Sequence, residues 1–457
     1  MALFSFGTLN SYNWLEHNRK SRQLAELARG DHASIAAEVA AAFPNSPNMQ
    51  LRYVPLVPRY TAELTGLYSR PVQRRFLGQG VSEPIWAKLQ EVYQNSNLDA
   101  ALVQVEEKLW VQNSVYILPI PDGLRRVKLL VLEPWQVEPT IADPLRADTP
   151  EGWASVELSL PAQVTAGQTI YGRAVLSPSE AYREIGGRKV GLYSPDSANP
   201  FGAIPLVVLH RTAPAMGSWC APVNEALLNL AIALCLQESD TELLVHMQSW
   251  GQKVIEGAEV GQNIEELAVG ADTIMLLEKK DPTSTISPKL TIVQGQPPIA
   301  QIVTWQESRI RLFCSMLGIS ADSFLRVNTS LTASARLFAQ QDRQVLRDRV
   351  RPLFVRAETE LVRLIAAICN LSEPLAIPRN VDVSVTWQDA VYSVDPLHEA
   401  QALRDSIALG VTSAADTLAQ QEGITRSQAL ERVKRNLKEA AELAAILTPS
   451  EPAGGAE

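Results

Sequence analysis

A chain of 457 residues, 46% hydrophobic and 20% charged, is long enough for several domains with sizeable cores and has the composition of a globular protein. Its formal net charge of −9 argues against a protein that coats nucleic acid through a basic surplus, so any DNA contact is expected to be local or weak. Four scattered cysteines without a C-x-x-C pair, and five histidines that do not cluster, argue against a disulfide framework or a metal site and for reduced thiols in a cytosol.

The opening MALFSFGTLNSYNW has neither the basic segment nor the apolar core of a signal peptide. Residues 11–42 predict two polar helices broken at Gly30-Asp31, followed by the turn-rich PNSPN at 44–48. Helices are expected around Arg59 to Leu67, from Glu83 to Tyr93 and over LDAALVQVEEKLWVQNS at 98–114. The runs VYILPI, VKLLVLE, ASVELSL, TIYGRAVLS and KVGLYS then read as strands separated by turn signals, which gives a mixed α/β region closed by NPFGAIPLVVLHR at 199–211.

From Pro222, a residue suited to a first helical turn, a helix is predicted to about Gln248. Its first half is apolar nearly all round, so neighbours are expected on several sides, and Leu227, Leu230 and Leu234 become candidates for an interface between copies. The core of this helix, ALLNLAIALCL at 226–236, is too short to span a bilayer, and no membrane role is expected. Residues 251–296 change character: glycines and two strand-like runs, DTIMLLE and PKLTIVQ, flank KKDPTSTIS, which reads as a small hairpin module bearing Lys279, Lys280 and Lys289. PPIAQIVTWQESRIRLFCSMLGI forms a second helix, so two helices flank a compact β insertion.

RVNTSLTAS then puts small polar residues before a long arginine-studded helix. Phe338, Val345, Leu346, Val350, Leu353, Phe354, Ala357, Leu361, Leu364, Ile365 and Ile368 recur at spacings of three and four, the mark of a half-buried amphipathic helix. Pro352 lacks an N–H, so this helix is expected to bend near Asp348 and continue, because the apolar stripe continues. Its arginines read first as a solvated face with intrahelical ion pairs. VDVSVTWQD at 381–389 is a strand, the chain after Asp395-Pro396 is helical to about Leu447, and TPSEPAGGAE reads as a disordered tail.

Enzymatic signatures are missing: there is no G-x-x-x-x-G-K-[ST], no G-x-S-x-G and no H-E-x-x-H, and GQG at 78–80 lacks a third glycine. Glu106 with Glu107, and Glu265 with Glu266, read as solvent-facing pairs, and His246 as an interfacial histidine. TLAQQEGITRSQALERVKRN mimics a helix-turn-helix in which Thr425, Arg426 and Gln428 would meet base edges. That leaves a DNA-binding regulatory or scaffold protein using 417–436 as the alternative reading.

Five stretches together carry a family resemblance. They are YVPLVPRYTAELTGLYSRPV, EEKLWVQNSVYILPIPDG, NPFGAIPLVVLH before a long helix, IRLFCSMLGISADSF before NTSLTASARL, and VTWQDAVYSVDPLHEAQALRDSIALGVTSAADTL. In this order they resemble the portal proteins of tailed double-stranded-DNA bacteriophages over roughly residues 50–447. The resemblance implies an α+β portal-type subunit. Its wing would take 1–220 and 332–393, the latter crossed by the long helix kinked at Pro352. Stem helices at 221–250 and 297–320 would flank a β-containing clip at 251–296, with a tunnel loop at 321–331 and an α-helical crown at 394–447. It also implies a ring, twelve copies in the family pattern, at one capsid vertex of the virion, assembled in the host cytoplasm. Double-stranded DNA would pass through non-specifically, with Arg326, Asn328, Thr329 and Ser330 at the channel. The clip lysines would meet terminase and a head-tail adaptor, and the major capsid protein and a scaffold would complete the partners. No catalysis, cofactor or metal is implied.

Overall fold

The computed structural model describes residues 10–42, 51–78, 80–123, 125–165, 168–185, 187–249, 252–256, 289–293, 299–325, 333–372, 377–378, 380–387, 396–422 and 426–447. Helices α1 (Asn10–Ala28) and α2 (Ala33–Ala42) part at Gly30, whose φ of 79° suits a glycine. Its N–H bonds Leu27 O at 3.1 Å, and Asp31 Oδ1 accepts the Ala33 N–H at 3.0 Å. α1, expected as a polar helix, has a buried face. Leu24 and Leu27 are fully buried, and Ser21 Oγ donates to Gln112 Oε1 at 2.8 Å inside the protein.

α3 (Leu56–Leu64), β1 (Gln73–Leu77), α4 (Glu83–Asn95) and α5 (Leu98–Gln112) follow. α5 buries Leu98, Leu102, Val105 and Leu109 at one-turn spacings, each worth roughly 2 kcal/mol of apolar burial. It ends at Asn113, whose left-handed φ of 61° an asparagine tolerates.

The chain turns there into β2 (Ser114–Pro121), which with β3 (Val127–Leu132) and β9 (Val207–His210) makes an antiparallel sheet in the order β3-β2-β9. This sheet divides two cores. Alternation sends Val115 and Ile117 of β2 toward the helices and Tyr116 and Leu118 toward a second sheet, so a strand buried on both faces reads as a continuous apolar run. The second sheet is an antiparallel meander of β4 (Val137–Ile141), β5 (Trp153–Thr165), β6 (Gln168–Leu176), β7 (Ala181–Ile185) and β8 (Arg188–Gly191). Trp153, Val156, Leu158, Ala174, Leu176 and Ala181 form its inner face.

Beyond β9 come α6 (Glu225–Ser249), a two-stranded ribbon of β10 (Gln252–Glu256) and β11 (Lys289–Val293), α7 (Ile299–Leu317), α8 (Ala321–Leu325) and α9 (Ala333–Ser372). β12 (Asp382–Thr386) pairs with β1 across some 300 residues of sequence, Gln73 opposite Thr386. α10 (Pro396–Ala408), α11 (Ala414–Glu422) and α12 (Arg426–Leu447) complete the described chain. The class is α+β, with helices from α1 to α9 packed on one side of the dividing sheet and the meander on the other.

Candidate functional site

The arm made by α6, the ribbon and α7 is the first candidate. α6 starts at Glu225, three residues past Pro222, whose carbonyl instead accepts the Asn113 Nδ2 donor at 2.8 Å. Leu227, Leu230 and Leu234 are 0%, 8% and 3% exposed within the single chain. The sequence reading expected other copies to cover them. The subunit's own α1, α3 and α7 do so, because α1 is docked against α6.

Further along, the arm leaves the core. Leu244 of α6 is 37% exposed, and on α7 Trp305 is 43%, Leu312 63% and Met316 70% exposed. The ribbon pairs QKVIE with KLTIV, Glu256 opposite Lys289. The hairpin expected between DTIMLLE and PKLTIVQ therefore has a different described partner for its second strand. DTIMLLE, Lys279 and Lys280 lie outside the described residues, while Lys289 opens β11.

The second candidate is the segment between α8 and α9. Arg326, Asn328, Thr329 and Ser330 lie outside the described residues, and the first five residues of the expected tunnel loop form α8. Both flanks of 326–332 are tied to α3. Arg59 Nε donates to Phe324 O at 3.1 Å and its guanidinium lies 6.0 Å from the Phe324 ring centre. The same Arg59 pairs at 2.5 Å with Glu63, and Glu63 also pairs with Arg343 of α9. One carboxylate, with its side chain 10% exposed, thus links two cations on separate elements.

Further contacts bind α9 to the body. Arg347 Nη2 donates to Thr65 O at 3.0 Å and its guanidinium lies against Gly66, where a Cβ would have to displace it. Glu106 accepts the Gly66 and Leu67 N–H groups at 2.9 and 3.0 Å. It is 1% exposed rather than solvent-facing, and burial raises its pKa while the backbone donors pull it down. Glu358, fully buried, accepts from Tyr68 Oη at 2.8 Å and from Arg74 Nε at 2.5 Å, and Arg74 also pairs with Asp99 at 2.7 Å. Arg363 reaches Asp382 at 2.6 Å. Only part of the arginine face therefore fits the intrahelical reading, as in Arg351 with Asp348 and Arg356 with Glu360. The helix runs through Pro352 without ending.

Sequence reasoning missed the buried glutamates. Glu358 had a signal: with Phe354, Leu361 and Ile365 it shares the apolar face, where a charge requires a partner. Of the other acids and histidines singled out, Glu265 and Glu266 lie outside the described residues, and the His246 side chain does too.

The helix-turn-helix mimic is partly described. Ser413 Oγ accepts the Asp416 N–H at 3.0 Å, and Ala415 and Ala429 are buried where α11 meets α12. Arg426 pairs with Asp416 at 2.9 Å, which turns a candidate base-reader toward the neighbouring helix; Gly423 and Thr425 lie outside the described residues. Nor does the thiol–imidazole pair seen among the described residues offer a nucleophile. His17 Nε2 lies 3.4 Å from Cys220 Sγ, but burial pushes the thiol up to about 12 and holds the imidazole down at about 4, so both are neutral at pH 7. Among the described residues no helix is long and apolar enough to cross a membrane.

No family model matches this chain, and no curated protein matches it. Among solved structures, a chain in the neck of an empty GTA (gene transfer agent) particle, computed with C6 symmetry, is similar at a TM-score of 0.41 and 11% identity. The match covers 80% of this chain and 89% of that one, a likeness too distant to assign a fold or a family.

Proposed function

We propose that the chain is the subunit of a portal-type head-tail connector ring of a tailed bacteriophage or phage-like particle. The observation that carries this reading is an order of parts. A two-helix arm ends in a β ribbon, then α8 leads to segment 326–332, and a 40-residue helix returns across the α+β body. That order matches the stem, clip, tunnel loop and wing helix that the sequence resemblance implies.

In this reading a ring of twelve copies occupies one capsid vertex of the virion. Double-stranded DNA passes through it during packaging and ejection, and the ribbon end receives terminase and later an adaptor. The acidic net charge of each copy lets the duplex slide without sticking. The protein itself hydrolyses nothing, and the motor is a separate partner. Electron microscopy of the purified chain tests the reading. End-on rings with a central hole are expected, whereas monomers or dimers that retain one DNA sequence would overturn it in favour of a regulator using α11 and α12.

A further inference from the structure

Two stripes on the arm, one exposed throughout and one exposed toward its ribbon end, match each other. On α7, Trp305, Arg309, Leu312 and Met316 fall at i, i+4, i+7 and i+11, one face of a helix, and all four are exposed. Arg309 lies over the Trp305 ring at 4.2 Å and has no carboxylate partner among the described residues. On α6, Ala233, Leu236, Asp240 and Leu244 fall at i, i+3, i+7 and i+11, half-buried at the first two and exposed at the last two. Asp240 has no cation partner among the described residues. Large side chains and a cation on one helix thus face small or slender ones and an anion on the other, yet neither stripe covers the other within the subunit.

The levels also agree. α6 ends at Ser249 and α7 begins at Ile299, both next to the ribbon. With a rise of about 1.5 Å per residue, Arg309 lies about 15 Å from its end of the arm and Asp240 about 14 Å from the other. Trp305 and Leu244 lie at about 9 and 8 Å, Leu312 and Leu236 both at about 20 Å, and Met316 and Ala233 at about 26 and 24 Å. Copies in a closed ring are related by rotation without rise, so residues level within one arm meet level residues of the next.

We infer that the α7 stripe of one copy packs against the α6 stripe of a second copy of this chain, Arg309 against Asp240, as a head-to-tail contact that closes into a ring. This rests on the ring reading above and replaces the leucines buried inside the subunit as the self-association surface. The contact buries an apolar strip of three residues on each side and pairs its one cation with its one anion.

A mixing experiment tests it. Leu312→Glu with Met316→Glu removes the α7 stripe, and Ala233→Glu with Asp240→Arg removes the α6 stripe. Circular dichroism and melting verify that each variant folds. Light scattering should find each variant alone at one subunit's mass, and the equimolar mixture at two, because one intact surface of each kind remains. If either folded variant assembles as the parent does, or the mixture stays at one subunit's mass, the inference is overturned while the parent's rings still stand. If the parent forms no ring, the proposed function fails first. Charge exchange gives a second arm: Arg309→Glu should reduce ring yield at least tenfold, and Asp240→Arg in the same chain should restore it. Rings unaffected by Arg309→Glu would remove the pairing.

Discussion

Glu358 holds Arg74 and the Tyr68 hydroxyl with no exposure to solvent. Glu358→Gln keeps the volume but leaves a buried guanidinium with Asp99 as its remaining carboxylate. Breaking a buried pair from one side costs about 3–5 kcal/mol, and chemical denaturation should show a loss of that order. A loss under about 1 kcal/mol would mean that Asp99 and water suffice. His17 gives a pH dependence of defined sign. Burial holds it at about 4 against the pull of Glu225, while an unfolded chain takes the proton near 6.5. Between those values the unfolded state binds more protons, so stability falls on acidification through that window, by roughly 2–3 kcal/mol. His17→Gln should flatten this part of a stability-against-pH curve. At this scale the sequence showed the apolar stripe of α9 well, although Val345, assigned to it, is 51% exposed. It hid the Arg343 partner of Glu63 and the Arg74 partner of Glu358, because an ion pair between residues hundreds of positions apart leaves no local periodicity, and it hid the backbone donors of Glu106, which come from a turn some forty residues away.

At the scale of elements, α3 carries the clamp on both flanks of segment 326–332. Glu63→Gln weakens its hold on Arg59 and Arg343 together. Limited proteolysis of the assembled protein should then cut at 326–332 several times faster, with ring yield unchanged; an unchanged cleavage rate would show the clamp to be idle. The segment has its own test. Arg326→Ala with Asn328→Ala should leave rings and melting temperature nearly as before but shorten the packaged genome or lower the fraction of filled capsids. Wild-type filling would remove these two residues from the channel. The expected strands are present as β2, β3, β5, β6 and β8, the first four with a strong apolar or alternating run. β1 was missed because QRRFL has a single buried position and exists by pairing with β12. β10 was missed for the same reason, since its partner lies more than thirty residues away. Short strands of this kind are defined by their partners rather than by their own side chains.

For the whole molecule, the dividing sheet makes the helical side and the meander one body, because β2 contributes to both cores. In the proposed reading the stretch between β10 and β11 is the docking end, so charge reversal at Lys279 and Lys280 is expected to weaken terminase or adaptor binding while ring yield stays level. Equal binding by parent and variant would move the docking surface elsewhere. The order of the long helices and of the strongly apolar strands was legible, since it follows from local patterns. Which surfaces stay bare was not, because the all-round apolarity of α6 looks the same whether the cover comes from α1 of the same chain or from another copy.

Pro352 offers no N–H, so the α9 ladder misses a rung at the Asp348 carbonyl. The grips on this helix fall on both sides of that gap: Arg343 and Arg347 before it, Glu358 and Arg363 after it. A rod fastened on either side of its weakest cross-section flexes there without shifting its far end. In the proposed ring, where a duplex would move past the segment ahead of α9, bending is expected to concentrate in the two or three turns around Pro352 and to spare the strand beyond, β12 with its partner β1.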